Sequence, residues 1–191
     1  MSRGIVLIRH AHREGGLLPQ ANVPISEQGW LQTFELGRVL AKYFSPDVIV
    51  SSPVLRCRQT AEALASAVGA SHVTLSQSLG DPGALVIEEA LVQEQLTANA
   101  LTFHSYFSGA VVPGMRSHAD AFELLSSDLA RHHGLVVGIS HDWIVATIAR
   151  QAGVTFPEII PDFLDGVWIP PARNAYSEAP RQFQPFLLRF Q

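Results

Sequence analysis

The residues of this sequence that are best suited to chemistry follow its first apolar run. Residues 5–8 read Ile-Val-Leu-Ile, and Arg9, His10 and Arg13 come shortly after them. An imidazole can act as a nucleophile, and a guanidinium presents a planar fork of donors that matches phosphate oxygens. One histidine between two arginines therefore predicts a site for a dianionic ligand such as a phosphate group.

A second histidine, His141, follows another apolar run, residues 135–139, and Asp142 comes directly after it. Residues 143–149 are apolar and predict a helix behind this pair. Asp142 could then protonate a leaving group, or it could cap a helix that begins at Trp143. The two roles do not exclude one another.

A third arginine, Arg56, comes shortly after a third apolar run, residues 47–50. Ser52 is a favourable N-cap and Pro53 a favourable first helical residue. The sequence therefore predicts a helix that begins here and carries Arg56 in its first turn or just after it. The free N–H groups of such a helix start also favour an anion.

Each of the three apolar runs predicts a strand, because each is short, rich in Val and Ile, and bounded by polar residues. Ligands of open α/β sheets bind just beyond the carboxyl ends of the strands, where this sequence places its histidines and arginines. The alternation of strands and helices predicts an α/β fold with three layers, α/β/α, and a mostly parallel central sheet. The remaining predicted helices span residues 26–44, 53–67, 88–96 and 117–133 (with Ser117 as the N-cap of the last), and the remaining predicted strands span residues 72–75, 167–169 and 186–190.

The composition indicates a folded protein and restricts its partners. Hydrophobic residues make up 47% of the 191 residues and charged residues 16%, which excludes a disordered chain and predicts one domain over residues 1–191. The formal net charge of −4 argues against a nucleic-acid partner, because proteins of that class are basic. The single Cys57 suits a reducing compartment. No apolar run reaches the roughly 18 residues of a membrane span and no signal peptide is recognisable, so a cytoplasmic protein without a membrane partner is expected.

These residues together resemble the histidine phosphatase superfamily, which has the phosphoglycerate mutase-like fold. The resemblance extends from about residue 4 to residue 150. It rests on four motifs in family order: residues 9–11 (Arg-His-Ala), residues 25–32 at the entry to the first helix, residues 51–61 around the second arginine, and residues 139–141 (Ile-Ser-His). The resemblance implies that His10 is the nucleophile and forms a phosphohistidine without a metal. It also implies that Arg9, Arg56 and His141 hold the phosphate, with Arg13 as a further candidate.

The proton donor is ambiguous in this sequence. Small members of the superfamily usually place an acid after the second-arginine helix, and Asp81 is the matching candidate here, with Glu88 and Glu89 further on. The His141-Asp142 pair instead resembles the acid phosphatase and phytase side of the superfamily, where the aspartate is the donor. The sequence leaves both aspartates open and favours Asp142.

Two residues after the nucleophile are candidates for substrate contact. His12 and Asn22 lie in the segment that follows the first strand. His10 and His12 could also open a metal site of the kind found in amidohydrolase barrels, but those barrels need about 250 residues. No metal and no cofactor are therefore predicted.

The predicted activity is hydrolysis of a small phosphorylated metabolite, with phosphate as a product. Three alternatives stay open: a mutase-type phosphotransferase, a phosphohistidine-protein phosphatase, and a phosphate-binding module without catalysis. The sequence leaves the oligomeric state open as well.

Overall fold

A six-stranded sheet forms the centre of the protein. The computed structural model describes residues 2–15, 22–43, 45–70, 72–98, 102–158, 160–170 and 186–188. The strands are β1 (Ser2–Arg9), β2 (Val48–Ser51), β3 (Val73–Leu75), β4 (Gly134–Ser140), β5 (Gly166–Ile169) and β6 (Phe186–Leu188). Their order across the sheet is β3-β2-β4-β1-β5-β6.

The sheet is parallel in its first four strands and antiparallel at its other edge. β4 pairs in parallel with both β1 and β2, and β2 pairs in parallel with β3, whereas β5 runs antiparallel to β1 and to β6. Arg9 pairs with Ser140 at the ends of β1 and β4. This register places the next residues, His10 and His141, side by side at the carboxyl edge of the sheet.

Helices cover both faces of the sheet. They are α1 (Glu27–Tyr43), α2 (Leu55–Val68), α3 (Glu89–Ala98), α4 (Thr102–Phe107), α5 (His118–Leu129) and α6 (Asp142–Gln151). Successive residues of a strand point to opposite faces, so Val6 and Ile8 pack with α1 and α2 while Ile5 and Leu7 pack with α5 and α6. The three-layer α/β/α architecture predicted from the sequence is confirmed.

Two helix starts differ from the prediction. The helix that carries Arg56 begins at Leu55 with Val54 as its N-cap residue, not at Ser52 and Pro53. Ser52 does accept a hydrogen bond from the Val54 amide, at 3.2 Å, but this closes a turn before the helix. α6 begins at Asp142, with His141 in the N-cap position, so the prediction that Asp142 caps a helix starting at Trp143 was wrong.

The predicted start of α5 is confirmed and its predicted end is not. The Ser117 hydroxyl accepts a hydrogen bond from the Asp120 amide at 3.1 Å and so caps the helix. The helix ends at Leu129, four residues before the predicted end at His133. Gly134 begins β4 with φ +84°, a conformation that L side chains rarely adopt. None of the helices within the described ranges is long and apolar enough to cross a membrane.

Candidate active site

A cavity of about 310 Å³ opens at the carboxyl ends of β1 and β4. Such a volume lies at the small end of ligand sites, which span about 300–1,000 Å³. The residues predicted from the sequence that line it are Arg9, His10, Arg13, Arg56, Asp81, His141 and Asp142. Most of the candidate site is therefore assembled in one place.

His10 is buried, with 3% of its surface exposed, and its ring is oriented by the chain around it. Its amide donates to the Ser140 carbonyl, and its Nδ1 lies 2.9 Å from the Ala11 carbonyl oxygen. A carbonyl can only accept, so Nδ1 carries the proton and Nε2 carries the lone pair. Thr60 holds this segment in place by accepting a hydrogen bond from the Ala11 amide at 3.0 Å.

The environment of His10 keeps its ring neutral. Burial lowers the pKa of His10 well below its usual value of 6.5, and the neighbouring His141 and cations lower it further, although the Ala11 carbonyl opposes them. A neutral imidazole with an unprotonated Nε2 is the form that can attack phosphorus.

Arg56 connects the two histidines. Its Nε donates to Nε2 of His10 at 3.1 Å, and its Nη2 lies 3.0 Å from Nδ1 of His141. Only 3% of the residue is exposed, because α2 places it against the sheet in the first turn. One guanidinium thus occupies the space between both imidazoles and directs two N–H groups into it.

His141 is also neutral in this arrangement. Burial, with smaller contributions from the charges of Arg56 and Arg9, lowers its pKa to about 3. Because Nδ1 accepts from Arg56, the ring proton lies on Nε2, which donates to the Ser52 hydroxyl at 3.1 Å. The ring of His141 therefore has one N–H group, on Nε2.

Arg9 is held by a loop that the sequence did not point to. Its Nη1 donates to the Pro161 carbonyl at 2.6 Å, and its guanidinium lies 4.2 Å from the centre of the Phe163 ring. The Phe163 ring also lies 5.6 Å from that of His10. The loop that precedes β5 therefore forms one side of the site and fixes the orientation of Arg9.

Of the two candidate acids, Asp142 is engaged in an ion pair. Its Oδ2 lies 3.0 Å from Nη2 of Arg9, and its Oδ1 accepts a hydrogen bond from the Trp143 amide at 2.9 Å. Both carboxylate oxygens of Asp142 therefore have a partner within the protein.

Asp81 is more exposed than Asp142 and lies farther from its arginine partner. Its Oδ2 lies 3.6 Å from Nη2 of Arg56, and 55% of its side chain is exposed. Partial desolvation raises the pKa of Asp81; Arg56 opposes this rise, and the carboxylates of Asp142 and Glu89 add to it. A carboxyl group with a raised pKa at the edge of the cavity is suited to carry a proton.

The last three sequence candidates are placed differently. Arg13 lines the cavity and forms a backbone bridge with Ile25. The His12 ring hydrogen-bonds to the Ser26 hydroxyl at 2.7 Å and does not line the cavity. Asn22 is exposed in a turn, also away from the cavity lining.

The structure adds residues that sequence reasoning missed as site residues. Ser52 contacts His141, Thr60 contacts the segment after His10, and Phe163 contacts Arg9. Ser52 and Thr60 lie inside the second-arginine motif, so the motif could have identified them as site residues. Phe163 lies in a stretch without a motif. Within the described ranges, no group of three or more His, Cys, Asp or Glu side chains is arranged to hold a metal ion.

Comparison with known proteins identifies the family of the chain. The chain matches the model of the histidine phosphatase superfamily (branch 1) over residues 5–158. Because this match covers most of the chain, the chain belongs to this superfamily.

Solved structures show the same fold. A mycobacterial glucosyl-3-phosphoglycerate phosphatase has 19% identity and a TM-score of 0.61, with 87% of this chain and 89% of that chain covered. A protein named mycobacterial hydrolase 2 has 20% identity and a TM-score of 0.62, with 97% and 88% covered. The protein histidine phosphatase SixA, complexed with tungstate, has 13% identity and a TM-score of 0.58, with 97% and 94% covered. None of the curated proteins matches the sequence significantly.

Proposed function

We propose that the protein is a metal-independent phosphomonoesterase that acts through a phosphohistidine on His10 and hydrolyses a small phosphorylated metabolite. The observation that carries this proposal is the orientation of the His10 ring. Its Nδ1 is tied to the Ala11 carbonyl, and its Nε2 lone pair faces the guanidinium of Arg56 inside the cavity. This is the arrangement of a nucleophile beside a group that binds phosphate oxygens.

Phosphate binding would redirect the arginine donors. Two N–H groups of Arg56 are directed to the two imidazoles. A phosphate dianion is a stronger acceptor than a neutral ring, so we expect Arg56 to turn its donors to the equatorial oxygens. Arg9 is close enough to join it, and the approach of a dianion would raise the pKa of His141.

The reaction then proceeds in two displacements. The Nε2 lone pair of His10 attacks phosphorus, the bond from phosphorus to the ester oxygen breaks, and the leaving oxygen takes the proton of the acid. In the second step, the resulting carboxylate accepts a proton from water, the water oxygen attacks phosphorus, and the P–N bond breaks. Phosphate is released, and His10 and the acid regain their first states.

We assign the acid to Asp81 rather than to Asp142. Both carboxylate oxygens of Asp142 are already engaged, one by the guanidinium of Arg9 and the other by the Trp143 amide. Asp81 has a raised pKa and is bonded less directly, at 3.6 Å from Arg56. The role of Asp142 is then to orient Arg9.

The assignment is tested by comparing two substrates with EDTA present. An aryl phosphate has a good leaving group that needs little protonation, whereas an alkyl phosphate needs the acid. Asp81→Asn should therefore lose far more kcat on the alkyl phosphate than on the aryl phosphate. Asp142→Asn should lose activity on both to a similar extent, because it disturbs Arg9. The reverse pattern would assign the acid to Asp142, and loss of wild-type activity in EDTA would indicate a metal enzyme.

A further inference from the structure

The lining of the cavity has two chemically distinct parts. Arg9, His10 and Arg56 form a polar part at the carboxyl ends of the strands. The other part, here called the apolar end, consists of apolar side chains from α3, from α6 and from the turn before α3, namely Pro82, Leu85, Val86, Val92, Leu96 and Trp143. The leaving group of a substrate bound at His10 would lie against this apolar end.

α3 forms one wall of the apolar end. Its residues Glu89, Val92, Gln93 and Leu96 line the cavity, and their spacing of three or four residues places them on one face of the helix. Val92 is buried, with 5% exposed. This face contains two aliphatic side chains, one amide and one carboxylate, and therefore offers little to a charged leaving group.

The apolar end also has an aromatic side chain, Trp143, that is held by a stacked ring. The Trp143 ring stacks on Phe107, with ring centres 4.7 Å apart and an angle of 26° between the planes. It lies directly after Asp142, so it is fixed both by its position in α6 and by the stacked ring. Such a surface binds an apolar group without losing side-chain freedom.

The charged side chains that line the cavity also favour a ligand whose leaving group is uncharged. Among the described residues that line it, the cationic side chains are the three arginines. Arg13 is close enough to Arg9 to affect its pKa, which places it near the phosphate end. Glu89 and Asp81 also line the cavity, and the charge of Glu89 contributes to the raised pKa of Asp81. A second negative charge on the leaving group would meet carboxylates there.

We infer that the preferred substrates are monoesters whose leaving group is uncharged and hydrophobic, about the size of a short alkyl chain or a single ring. This inference rests on the proposed phosphatase function and specifies its substrate class. Acid-bearing esters of the phosphoglycerate type are poor substrates, because their carboxylate would lie beside Glu89 and the apolar wall. The small cavity volume limits the length of the chain that fits.

Binding and turnover can be tested separately with matched compounds. Hexylphosphonate, ethylphosphonate and 6-phosphonohexanoate cannot be hydrolysed, and calorimetric titration gives the Kd of each. Hexylphosphonate should bind at least about tenfold more tightly than either of the others, because methylenes in an apolar pocket give discrimination of this size. The corresponding phosphates (hexyl phosphate, ethyl phosphate and the phosphate ester of 6-hydroxyhexanoate) should follow the same order in kcat/KM.

Variants on α3 test whether the apolar end causes the preference for hexylphosphonate. Leu96→Lys should reduce the preference for hexylphosphonate over 6-phosphonohexanoate at least about tenfold. Ala90→Lys is the matched control, since Ala90 is exposed on the same helix and outside the cavity lining, and it should keep the preference. If Leu96→Lys does not fold, Glu89→Gln serves instead and should strengthen the binding of 6-phosphonohexanoate alone.

The outcomes separate the two proposals. Equal Kd values for the three phosphonates, or tighter binding of 6-phosphonohexanoate, would overturn the substrate class even if all three phosphates are hydrolysed. A preference for hexylphosphonate together with no hydrolysis of any ester would support the apolar pocket and overturn the phosphatase function.

Discussion

Arg56 is the residue on which the geometry of the site depends most directly. Its side chain contacts both imidazoles and lies near Asp81, and it is almost fully buried. A guanidinium can do this because its donors lie in one plane and point in different directions. The ammonium group of a lysine has no such fixed fork.

Replacement of Arg56 by lysine tests this role while keeping the charge. Arg56→Lys should lower kcat about a hundredfold to a thousandfold, the usual cost of removing a donor that stabilises transition-state charge. Arg58→Lys is the matched control, because Arg58 is exposed on the same helix and should leave kcat unchanged. Steady-state kinetics on an alkyl phosphate measure both variants. Equal activity of Arg56→Lys and wild type would show that charge alone, without the fork, is sufficient.

The sequence predicted the histidines and arginines of the site better than it predicted the groups that orient them. His10, His141 and Arg56 could be found because each follows a strand and belongs to a recognisable motif. The hydrogen-bond partner of Arg9 could not be predicted, because it is the backbone carbonyl of Pro161. Every residue has such a carbonyl, so the sequence does not distinguish this one. The choice between Asp81 and Asp142 also depends on contacts across the fold, which is why the sequence alone favours Asp142 while our proposal, made from the structure, assigns the acid to Asp81.

At the scale of elements, strands and capped helices were the most predictable parts. β1 and β4 are buried on both faces, so each appears as a continuous apolar run. α5 begins with a serine and has an aspartate three residues later, a strong local signal. The sequence did not show that α3 contributes to the site, because apolar residues that line a cavity have the same pattern as apolar residues that pack in the core.

The cap of α5 gives a stability prediction at this scale. Ser117→Ala removes the acceptor for the Asp120 amide and should lower the free energy of unfolding by about 1 kcal/mol. Ser127→Ala, at an exposed position within the same helix, is the control and should change it far less. Urea unfolding followed by circular dichroism measures both. If the two variants lose the same stability, the cap contributes nothing beyond helix propensity.

At the scale of the whole molecule, folding buries two histidines in neutral form. Their native pKa values lie below 6.5, at about 3 for His141. The unfolded chain therefore binds more protons below pH 6.5, and stability must fall as the pH falls through that range. The loss begins near the unfolded pKa and continues towards the lowered native values.

This linkage can be measured by urea unfolding at pH 7.5 and pH 5.5. Each buried neutral histidine should cost about 1.4 kcal/mol at pH 5.5. His141→Gln should show a smaller dependence of stability on pH than wild type, whereas His72→Gln, at an exposed position, should show the same dependence. A wild-type protein equally stable at both pH values would contradict the neutral, buried state of these rings.

The phosphohistidine on His10 is the central claim, and trapping it is its most direct test. Wild-type protein is mixed with an alkyl phosphate, quenched in alkali within milliseconds, digested and mapped by mass spectrometry, with His10→Asn and His72→Asn treated in the same way. We expect one phosphoryl group on the peptide that contains His10, localised to that ring by fragmentation, in wild type and His72→Asn and not in His10→Asn. Turnover of the substrate without any phosphorylated His10, or a phosphoryl group on another residue, would contradict the account.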